Sequence, residues 1–252
     1  MLRVQTDETT SGHDGRVAWV TGAGSGLGRA SALRLAAAGL AVAVSGRRRE
    51  PLEQLVAEVT AAGGRALAVP LDVQDADAVG PAHERVVAGL GPVTDLVAAA
   101  GLNVPERYWR DQHLEEFTSV VDTNLLGVVR PVQAVLPGMR AAGGGTVTVI
   151  SSYAGWQHSP HAGVAYSASK SALASVCRSL NDQEGEHGVR ACHLCPGDVD
   201  TDFLAQRPSV PDAAARRRML TADDVGRAVA FVHTAPAHVR VDELVISPTG
   251  RG

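Results

Sequence analysis

Short apolar segments rich in β-branched residues alternate along the chain with longer segments rich in alanine and leucine. The apolar segments lack the polar alternation of a sheet with one face in water, so we expect strands buried on both faces. Alternating strands and helices indicate βαβ units, and right-handed crossovers place helices on both sides of a parallel sheet. The sequence therefore predicts an α/β fold: a doubly wound parallel sheet of about seven strands with helices on both faces.

The predicted elements cover most of the chain. The strands are expected in RVAWVTG, AVAVSG, ALAVPLD, TDLVAAAG, GTVTVISS, VRACHLCPG and DELVISP, and the helices at residues 26–38, 50–62, 75–89, 112–141, 163–187 and 222–234. Residues 1–14 are predicted to form a flexible N-terminal arm. We expect one domain over residues 15–252, since a chain of 252 residues that is 45% hydrophobic can build one substantial core.

Composition argues against several classes of function. The net charge of −4 gives no basic excess for nucleic acid, and no apolar run is long enough to span a bilayer. The N-terminus has no apolar signal-peptide region, and three cysteines do not form a disulfide framework, so we expect a cytoplasmic protein.

Possible metal ligands occur in two places. Cys192 and Cys195 in CHLC could be half of a zinc site or a redox pair, but a buried strand with cysteine as a small hydrophobe is the preferred interpretation. His158 and His161 have no third ligand in view. We predict no metal.

Glycines crowd the turn after the first predicted strand. In TGAGSGLGRA, Gly22, Gly24, Gly26 and Gly28 permit positive φ angles and close approach of a ligand to the backbone. The helix that begins here directs free N–H groups and its positive dipole end at that space, which suits a pyrophosphate. A tight strand-to-helix connection is the alternative; the position in a βα series favours a dinucleotide.

The next two strand ends bear on the choice of dinucleotide. Gly46 stands where NAD-binding folds place an acid for the ribose, and Arg47 follows it. An arginine here can hold a 2′-phosphate, so NADP(H) is predicted over NAD(H), although NAD(H) stays possible and Arg47 could be a solvated helix start. Asp72 could accept from the adenine amino group or cap the next helix, for which Asp75 is the better candidate.

GVAYSASKSALASV contains one phenol and one ammonium among small residues. Tyr166 and Lys170 are four residues apart, so a helix presents them on one face. A nearby ammonium stabilises a phenolate, and we expect it to lower the pKa of Tyr166 toward the range useful in acid–base catalysis. The alternative is an ordinary amphipathic helix with a half-buried tyrosine.

Further polar residues are expected near this pair. Ser151 and Ser152 end the preceding strand, where a hydroxyl can donate to a carbonyl oxygen. Asn124 is a polar residue in an apolar helix, and could equally mark a local kink or a buried hydrogen bond.

In this combination and order the motifs resemble those of short-chain dehydrogenases/reductases of the compact, single-domain type. TGAGSGLG matches that family's cofactor glycine motif, YSASK its Y-x-x-x-K motif, ISSYAG its catalytic serine segment and CPGDVDTDF the segment bordering the nicotinamide. The resemblance runs from about residue 15 to the C-terminus. It implies a Rossmann-type sheet and an NAD(P)-dependent oxidoreductase.

The resemblance also implies roles for individual residues. Ser152 and Tyr166 would bind the substrate oxygen, Lys170 would hold the nicotinamide ribose and Asn124 a water linked to Lys170. The implied cofactor-binding residues are Gly22, Ser25, Gly26, Leu27, Gly28, Arg47, Asp72, Val73, Ala98, Gly101, Tyr166, Lys170, Pro196, Gly197, Val199 and Thr201.

The sequence departs from the family pattern at two points. The fourth strand ends AAAG, so Ala98 and Ala99 replace two asparagines that brace the sheet. The fourteen-position separation of Ser152 and Tyr166 is slightly long, which leaves Ser151 as an alternative for the serine role and places an extra residue in the loop GWQHSPHAG.

The expected substrate is a small molecule with a carbonyl or secondary alcohol group, of ketone or 3-oxo acyl type. Candidate pocket walls are Tyr153, Trp156, His158, His161 and Phe203, and residues 207–218 are either a mobile lid or a surface loop. A non-catalytic dinucleotide-binding module is the alternative function. Family resemblance implies a homo-oligomer, a tetramer or else a dimer.

Overall fold

Seven parallel strands form the central sheet. The structure is a computed structural model and describes residues 15–249, so the predicted arm at residues 1–14 lies outside the described residues. The sheet order is β3-β2-β1-β4-β5-β6-β9. Its strands are β1 Val17–Thr21, β2 Ala41–Val44, β3 Ala66–Ala68, β4 Asp95–Ala98, β5 Gly145–Ile150, β6 Val189–Pro196 and β9 Glu243–Ile246. The predicted Rossmann-type, doubly wound parallel sheet is confirmed.

Helices cover both faces of this sheet. One layer contains α1 (Gly26–Ala37), α2 (Arg49–Ala61) and α9 (Ala222–Thr234), and α1 packs against α9. The other layer contains α3 (Ala76–Leu90), α4 (Leu114–Val121), α5 (Gly127–Ala141) and α7 (Val164–Gln183). None of the helices in residues 15–249 combines the length and the apolar character needed to cross a membrane.

Two cores lie on opposite faces of the sheet. In β1, Val17 and Trp19 pack in the core under α3, α5 and α7, whereas Ala18 and Val20 pack in the core under α1, α2 and α9. Every residue of β1 is buried. This arrangement explains the continuous apolar sequence of the strands, because helices cover the side chains on both faces of the sheet.

A buried polar cluster ties the amino end of β4 to α9. Asp95 is fully buried and accepts from Arg16 Nε at 3.0 Å, and its other oxygen lies 2.7 Å from His233 Nδ1. Burial raises the pKa of Asp95, but the hydrogen bonds and charges of His233 and Arg16 outweigh it, so the pKa is lowered overall. The cluster lies at the end of the sheet away from the glycine turn.

The predicted helix at residues 112–141 is not continuous. Asp122–Leu126 form a π-helical segment between α4 and α5, and Asn124 lies within it. A π-bulge of this kind rotates the following residues relative to a regular helix and is often found at functional sites. Asn124, for which a local kink was one alternative interpretation, therefore lies in a π-helical turn.

The chain between β6 and α9 is built of short pieces. It contains β7 (Val199–Asp200), a 3₁₀ turn (Asp202–Gln206), α8 (Ala213–Arg216) and β8 (Leu220–Thr221), and β7 pairs with β8 in a separate two-stranded sheet. Another short helix, α6 (Tyr153–Trp156), follows β5. The sequence shows no apolar period in these stretches, which is why the predictions placed no element there.

Candidate active site

A cavity of about 820 Å³ opens at the carboxyl ends of the strands. This is the edge of a doubly wound sheet where ligands bind. Most of the predicted site residues line it: Gly22, Ser25, Gly26, Leu27, Gly28, Arg47, Asp72, Val73, Gly101, Ser152, Tyr166, Lys170, Pro196, Gly197, Val199 and Thr201. Two predicted residues, Ala98 and Asn124, do not line it.

The glycine turn fits a pyrophosphate. Gly22 has φ +66°, and a Cβ there would lie 2.6 Å from Ala100 N, while a Cβ on Gly28 would lie 2.4 Å from Gly22 O. Backbone packing therefore requires both glycines. Helix α1 begins at Gly26, and the Ser25 side chain makes no capping hydrogen bond. The first N–H groups of α1 consequently remain available to an anion in the cavity.

Arg47 and Arg48 line the cavity beside Gly46. Neither forms an ion pair with another residue of the range 15–249, whereas Arg49 pairs with Glu53 at 3.4 Å and lies off the cavity. Two exposed, unpaired guanidinium groups beside a glycine make this end of the cavity suitable for a phosphate.

Asp72 and Asp75 have different partners. Asp75 caps α3 by accepting from Asp77 N and Ala78 N, as the sequence favoured. Asp72 accepts from Gln74 N at 3.1 Å and also lines the cavity. Its carboxylate therefore fixes the local turn and stays in reach of a ligand.

Tyr166 and Lys170 share one face of α7, as the spacing predicted. The Lys170 ammonium lies 5.7 Å from the centre of the Tyr166 ring. Lys170 is 3% exposed and donates to Ile150 O at 2.9 Å, so the end of β5 fixes its position. Both side chains line the cavity.

The expected lowering of the Tyr166 pKa by Lys170 is not found in this structure. Burial raises the pKa of Tyr166 above its ordinary value of 10.0, against opposing contributions from a Ser152 hydrogen bond and the charges of Arg207 and Arg107. Burial also lowers the pKa of Lys170 to about 8. Lys170 therefore loses its proton more readily than an ordinary lysine does. The Tyr166 phenol stays protonated at neutral pH.

The two serines at the end of β5 have different surroundings. Ser151 is buried and donates to Lys170 O at 3.2 Å. The Ser152 hydroxyl acts to lower the pKa of Tyr166, and it accepts from Ala154 N at 3.2 Å, capping α6. Ser152 is therefore the serine whose hydroxyl is next to the Tyr166 phenol, and this favours it over Ser151 for the expected role.

Asn124 is fully buried behind the cavity. Its amide oxygen accepts from Leu102 N at 2.7 Å, and its amide nitrogen donates to Leu102 O at 2.9 Å and Ser169 Oγ at 3.1 Å. The side chain thus joins the loop after β4 to α7. The expected water at Asn124 stays a prediction.

Ala98 is a buried core residue at the end of β4. Because strand side chains alternate, its methyl group faces the helix layer, and the neighbouring residues Ala99 and Ala100 line the cavity instead. Ala98, expected to contact the cofactor, therefore does not reach the cavity.

The side of the cavity next to Tyr166 contains some of the expected walls. Tyr153, His161 and Phe203 line it, and the Phe203 ring centre is 6.1 Å from that of Tyr166. Trp156 and His158 do not line it. The sequence reasoning missed Asn103, Arg107, Gln206 and Arg207, which do. They lie in irregular segments without periodicity, so nothing in the sequence indicated that these segments meet.

The possible metal ligands are arranged differently from the sequence expectation. In residues 15–249, the one group of three metal-type ligands is His193, Cys195 and Glu243, whose donor atoms lie within 4.8 Å of one another. Cys192 and Cys195 are three apart in β6 and so point to opposite faces. All three cysteines are free and buried.

Comparison with known proteins decides the family. A family model described as short chain dehydrogenase matches residues 16–211. The chain belongs to the short-chain dehydrogenase family. The chain is an oxidoreductase of this family. Its sequence, its sheet order and the motifs that line its cavity all agree with the assignment.

Relatives in this family include reductases. The chain is 34% identical over 239 residues to a sulfoacetaldehyde reductase of Chromohalobacter salexigens, covering 92% of this chain and 93% of that protein. It is 34% identical over 242 residues to the glycine betaine reductase ATRR of Emericella nidulans, covering 93% of this chain but only 19% of that protein. A solved structure of an alcohol dehydrogenase from Thermococcus sibiricus, complexed with 5-hydroxy-NADP, is similar with a TM-score of 0.84 and 31% identity, covering 94% of this chain and 98% of that one.

Proposed function

We propose that this short-chain dehydrogenase uses NADP(H) to interconvert a carbonyl group and an alcohol, with Tyr166 as the proton donor and acceptor. One observation carries the proposal. Tyr166, next to Lys170, opens together with Ser152 into the same cavity as the glycine turn at the start of α1. A proton-transfer group and a dinucleotide cradle therefore share one cavity.

The residues present fit a nicotinamide dinucleotide. The N–H groups at the start of α1 would hold the pyrophosphate, and Lys170 the ribose next to the nicotinamide. Pro196, Gly197 and Thr201 also line the cavity. When bound, the nicotinamide supplies or accepts the hydride.

The chain's own residues handle the substrate oxygen. In the direction of reduction, the Ser152 hydroxyl donates a hydrogen bond to the carbonyl oxygen and the Tyr166 phenol donates its proton to it. Since burial raises the pKa of Tyr166, the phenol is in the protonated form that this step requires at neutral pH. In oxidation, the phenolate accepts the alcohol proton.

The choice of NADP(H) rests on Arg47 and Arg48. A charge-assisted hydrogen bond to a 2′-phosphate contributes about 1.5–3 kcal/mol, or roughly tenfold to a hundredfold in affinity. Gly46 supplies no acid that would repel the phosphate. The Thermococcus sibiricus relative, whose structure contains a modified NADP, supports the same choice.

A fluorescence titration tests the cofactor. We expect a lower Kd for NADPH than for NADH, and the pair Gly46→Asp with Arg47→Ala should reverse the order. Arg49→Ala is the matched control, because Arg49 pairs with Glu53 and lies off the cavity. A lower Kd for NADH in the unchanged protein would remove Arg47 from the cofactor site.

A turnover screen with both reduced cofactors across a panel of aldehydes, ketones and 3-oxo acyl compounds tests the reaction. Consumption of NADPH with at least one carbonyl compound is expected. Tight cofactor binding without turnover of any carbonyl compound would contradict the proposal and favour a non-catalytic dinucleotide-binding module.

We also propose that residues 15–252 act as one domain in a cytoplasmic homotetramer. The single domain rests on length and composition and the location on the cysteine usage, whereas the tetramer rests on the family resemblance. Light scattering at micromolar concentration measures the assembly directly, and a monomeric mass would contradict it.

A further inference from the structure

Two arginines lie on the substrate side of the cavity. Arg107 belongs to the loop between β4 and α4, and Arg207 follows the 3₁₀ turn after β7; both line the cavity. Arg107 is only 3% exposed. An arginine is rarely buried unless a partner compensates its charge.

Arg107 has no such partner among residues 15–249. Its guanidinium donates to Val104 O at 2.7 Å and to Gln206 O, and both acceptors are neutral backbone carbonyls. Asp198 and Asp202 also line the cavity, but Asp198 is bound to Arg207 at 2.6 Å and Asp202 is exposed. The positive charge on Arg107 is therefore left uncompensated at a cavity wall, where it is costly unless an anion meets it.

The two guanidinium groups act on the reacting centre. The charges of Arg207 and Arg107 both oppose the rise in the pKa of Tyr166, and the Arg207 charge also acts on Arg107. Tyr166, Arg107 and Arg207 are thus mutual electrostatic neighbours. All three side chains line one cavity, so an anionic group bound by the arginines would share that cavity with a carbonyl held at Tyr166.

Backbone contacts hold Arg107 against the start of α7, the helix that carries Tyr166. Val164 N donates to Arg107 O at 2.8 Å, and Gly163, at φ +90°, packs so closely that a Cβ there would lie 2.5 Å from Arg107 Cβ. The same loop is tied to the neighbouring segments, because Asn103 N donates to the Gln206 side chain at 2.9 Å and the Asn103 amide donates to Ala162 O at 3.0 Å. Arg107 is consequently fixed relative to Tyr166 before any substrate binds, which lowers the entropic cost of recognition.

We propose that Arg107 and Arg207 form an anion-binding subsite, and that the substrate is a small carbonyl compound, or the corresponding alcohol, that carries a carboxylate or sulfonate group. This inference rests on the proposed function, since the subsite serves the same reaction. Guanidinium forks bind carboxylate and sulfonate oxygens through charge-assisted hydrogen bonds, as they do with other oxyanions.

Steady-state kinetics with matched substrates test the subsite. Succinic semialdehyde is compared with its neutral methyl ester, and sulfoacetaldehyde is the sulfonate arm. We expect kcat/KM to be about tenfold to a hundredfold higher for the anions, which is the affinity that one charge-assisted hydrogen bond supplies. The ratio of kcat/KM for succinic semialdehyde to kcat/KM for sulfoacetaldehyde separates carboxylate recognition from sulfonate recognition.

Variants connect the preference to the arginines. Arg207→Gln and Arg107→Gln should remove the preference mainly through KM, and Arg107→Lys should restore part of it. Arg110→Gln is the control, since Arg110 is close in sequence but 79% exposed and off the cavity. Arg107 also donates to Gln206 O, so Arg107→Gln could fail to fold. In that case Arg207→Gln alone decides whether the subsite exists.

Equal kcat/KM for the acid and its ester, or a preference unchanged in Arg207→Gln, would overturn the subsite. A thermal-shift measurement separates this failure from failure of the proposed function. If no carbonyl compound is turned over, methanesulfonate or propionate should still raise the Tm of the NADPH-loaded protein more than methanesulfonamide or propionamide does, and Arg207→Gln should lose the difference. No difference in the unchanged protein would overturn the subsite even then.

Discussion

Replacement of Asp95 by asparagine should destabilise the fold strongly and leave cofactor binding unchanged. Asp95 accepts from Arg16 and from His233 in a fully buried setting at the amino end of β4. The cavity lies at the opposite, carboxyl end of the same strands. The substitution removes the charge but keeps the shape of the side chain, so the loss measures the ion pairs rather than packing.

The expected loss follows from burial. Removal of one partner of a buried ion pair costs about 3–5 kcal/mol, and here the buried His233 and the part-buried Arg16 would lose the carboxylate that they face. For a chain of this size each kcal/mol corresponds to about 2–4 °C in Tm, which predicts a decrease of about 6–20 °C. Asp223→Asn is the matched control. Its pairs with Arg34 and Arg227 are at the surface, with Asp223 45% exposed, so at most about 1 kcal/mol should be lost.

Urea unfolding of the three proteins at several pH values is the assay. The folded-state pKa of Asp95 is lowered below its ordinary value of 3.8, so its contribution is fully present above that value and is lost as the pH falls through the lower, folded-state pKa. The difference between wild type and Asp95→Asn should therefore shrink only in strong acid. Equal losses for Asp95→Asn and Asp223→Asn at pH 7, or a changed NADPH Kd with unchanged stability, would refute this reasoning.

Three further predictions concern the cavity. Ser152→Ala should lower kcat more than Ser151→Ala does, because the Ser152 hydroxyl acts on the pKa of Tyr166 whereas the buried Ser151 hydroxyl donates to Lys170 O; the reverse order in parallel assays would move the role to Ser151. Lys170→Ala should raise the Kd for NADPH and lower turnover, and an unchanged Kd would remove Lys170 from ribose binding. Alcohol oxidation should accelerate as the pH rises toward the raised pKa of Tyr166 while carbonyl reduction stays nearly constant near neutrality; a pH–rate profile in which oxidation is fastest below pH 7 would be inconsistent with Tyr166 as the base.

The sheet could be predicted because each of its strands is marked locally. In β2 and in the first four residues of β1, uninterrupted apolar residues reflect burial on both faces, and the helices between strands have their own composition. Tyr166 and Lys170 could be paired for the same reason, since a regular helix converts a spacing of four into a shared face. These features depend on short-range sequence alone.

The features that the sequence missed depend on contacts between distant segments. Arg107 lines the cavity because Gly163 and Gln206 from two other loops pack against its own, and no local pattern records that meeting. The Asn124 side chain in the π-helical turn likewise hydrogen-bonds Leu102 of a loop distant in sequence. The direction of the Tyr166 pKa was mistaken because the sequence shows a neighbouring ammonium but not the depth of burial that outweighs it.

The most direct test of the central claim is the turnover number of Tyr166→Phe with NADPH and the best carbonyl substrate from the screen. The ring stays in place and only the proton donor is lost, so kcat should fall by roughly a hundredfold or more while the Kd for NADPH is unchanged. Tyr153→Phe is the control, since Tyr153 lines the same cavity on another helix. A kcat for Tyr166→Phe within a few-fold of the wild-type value would contradict the assignment of Tyr166 as the catalytic acid.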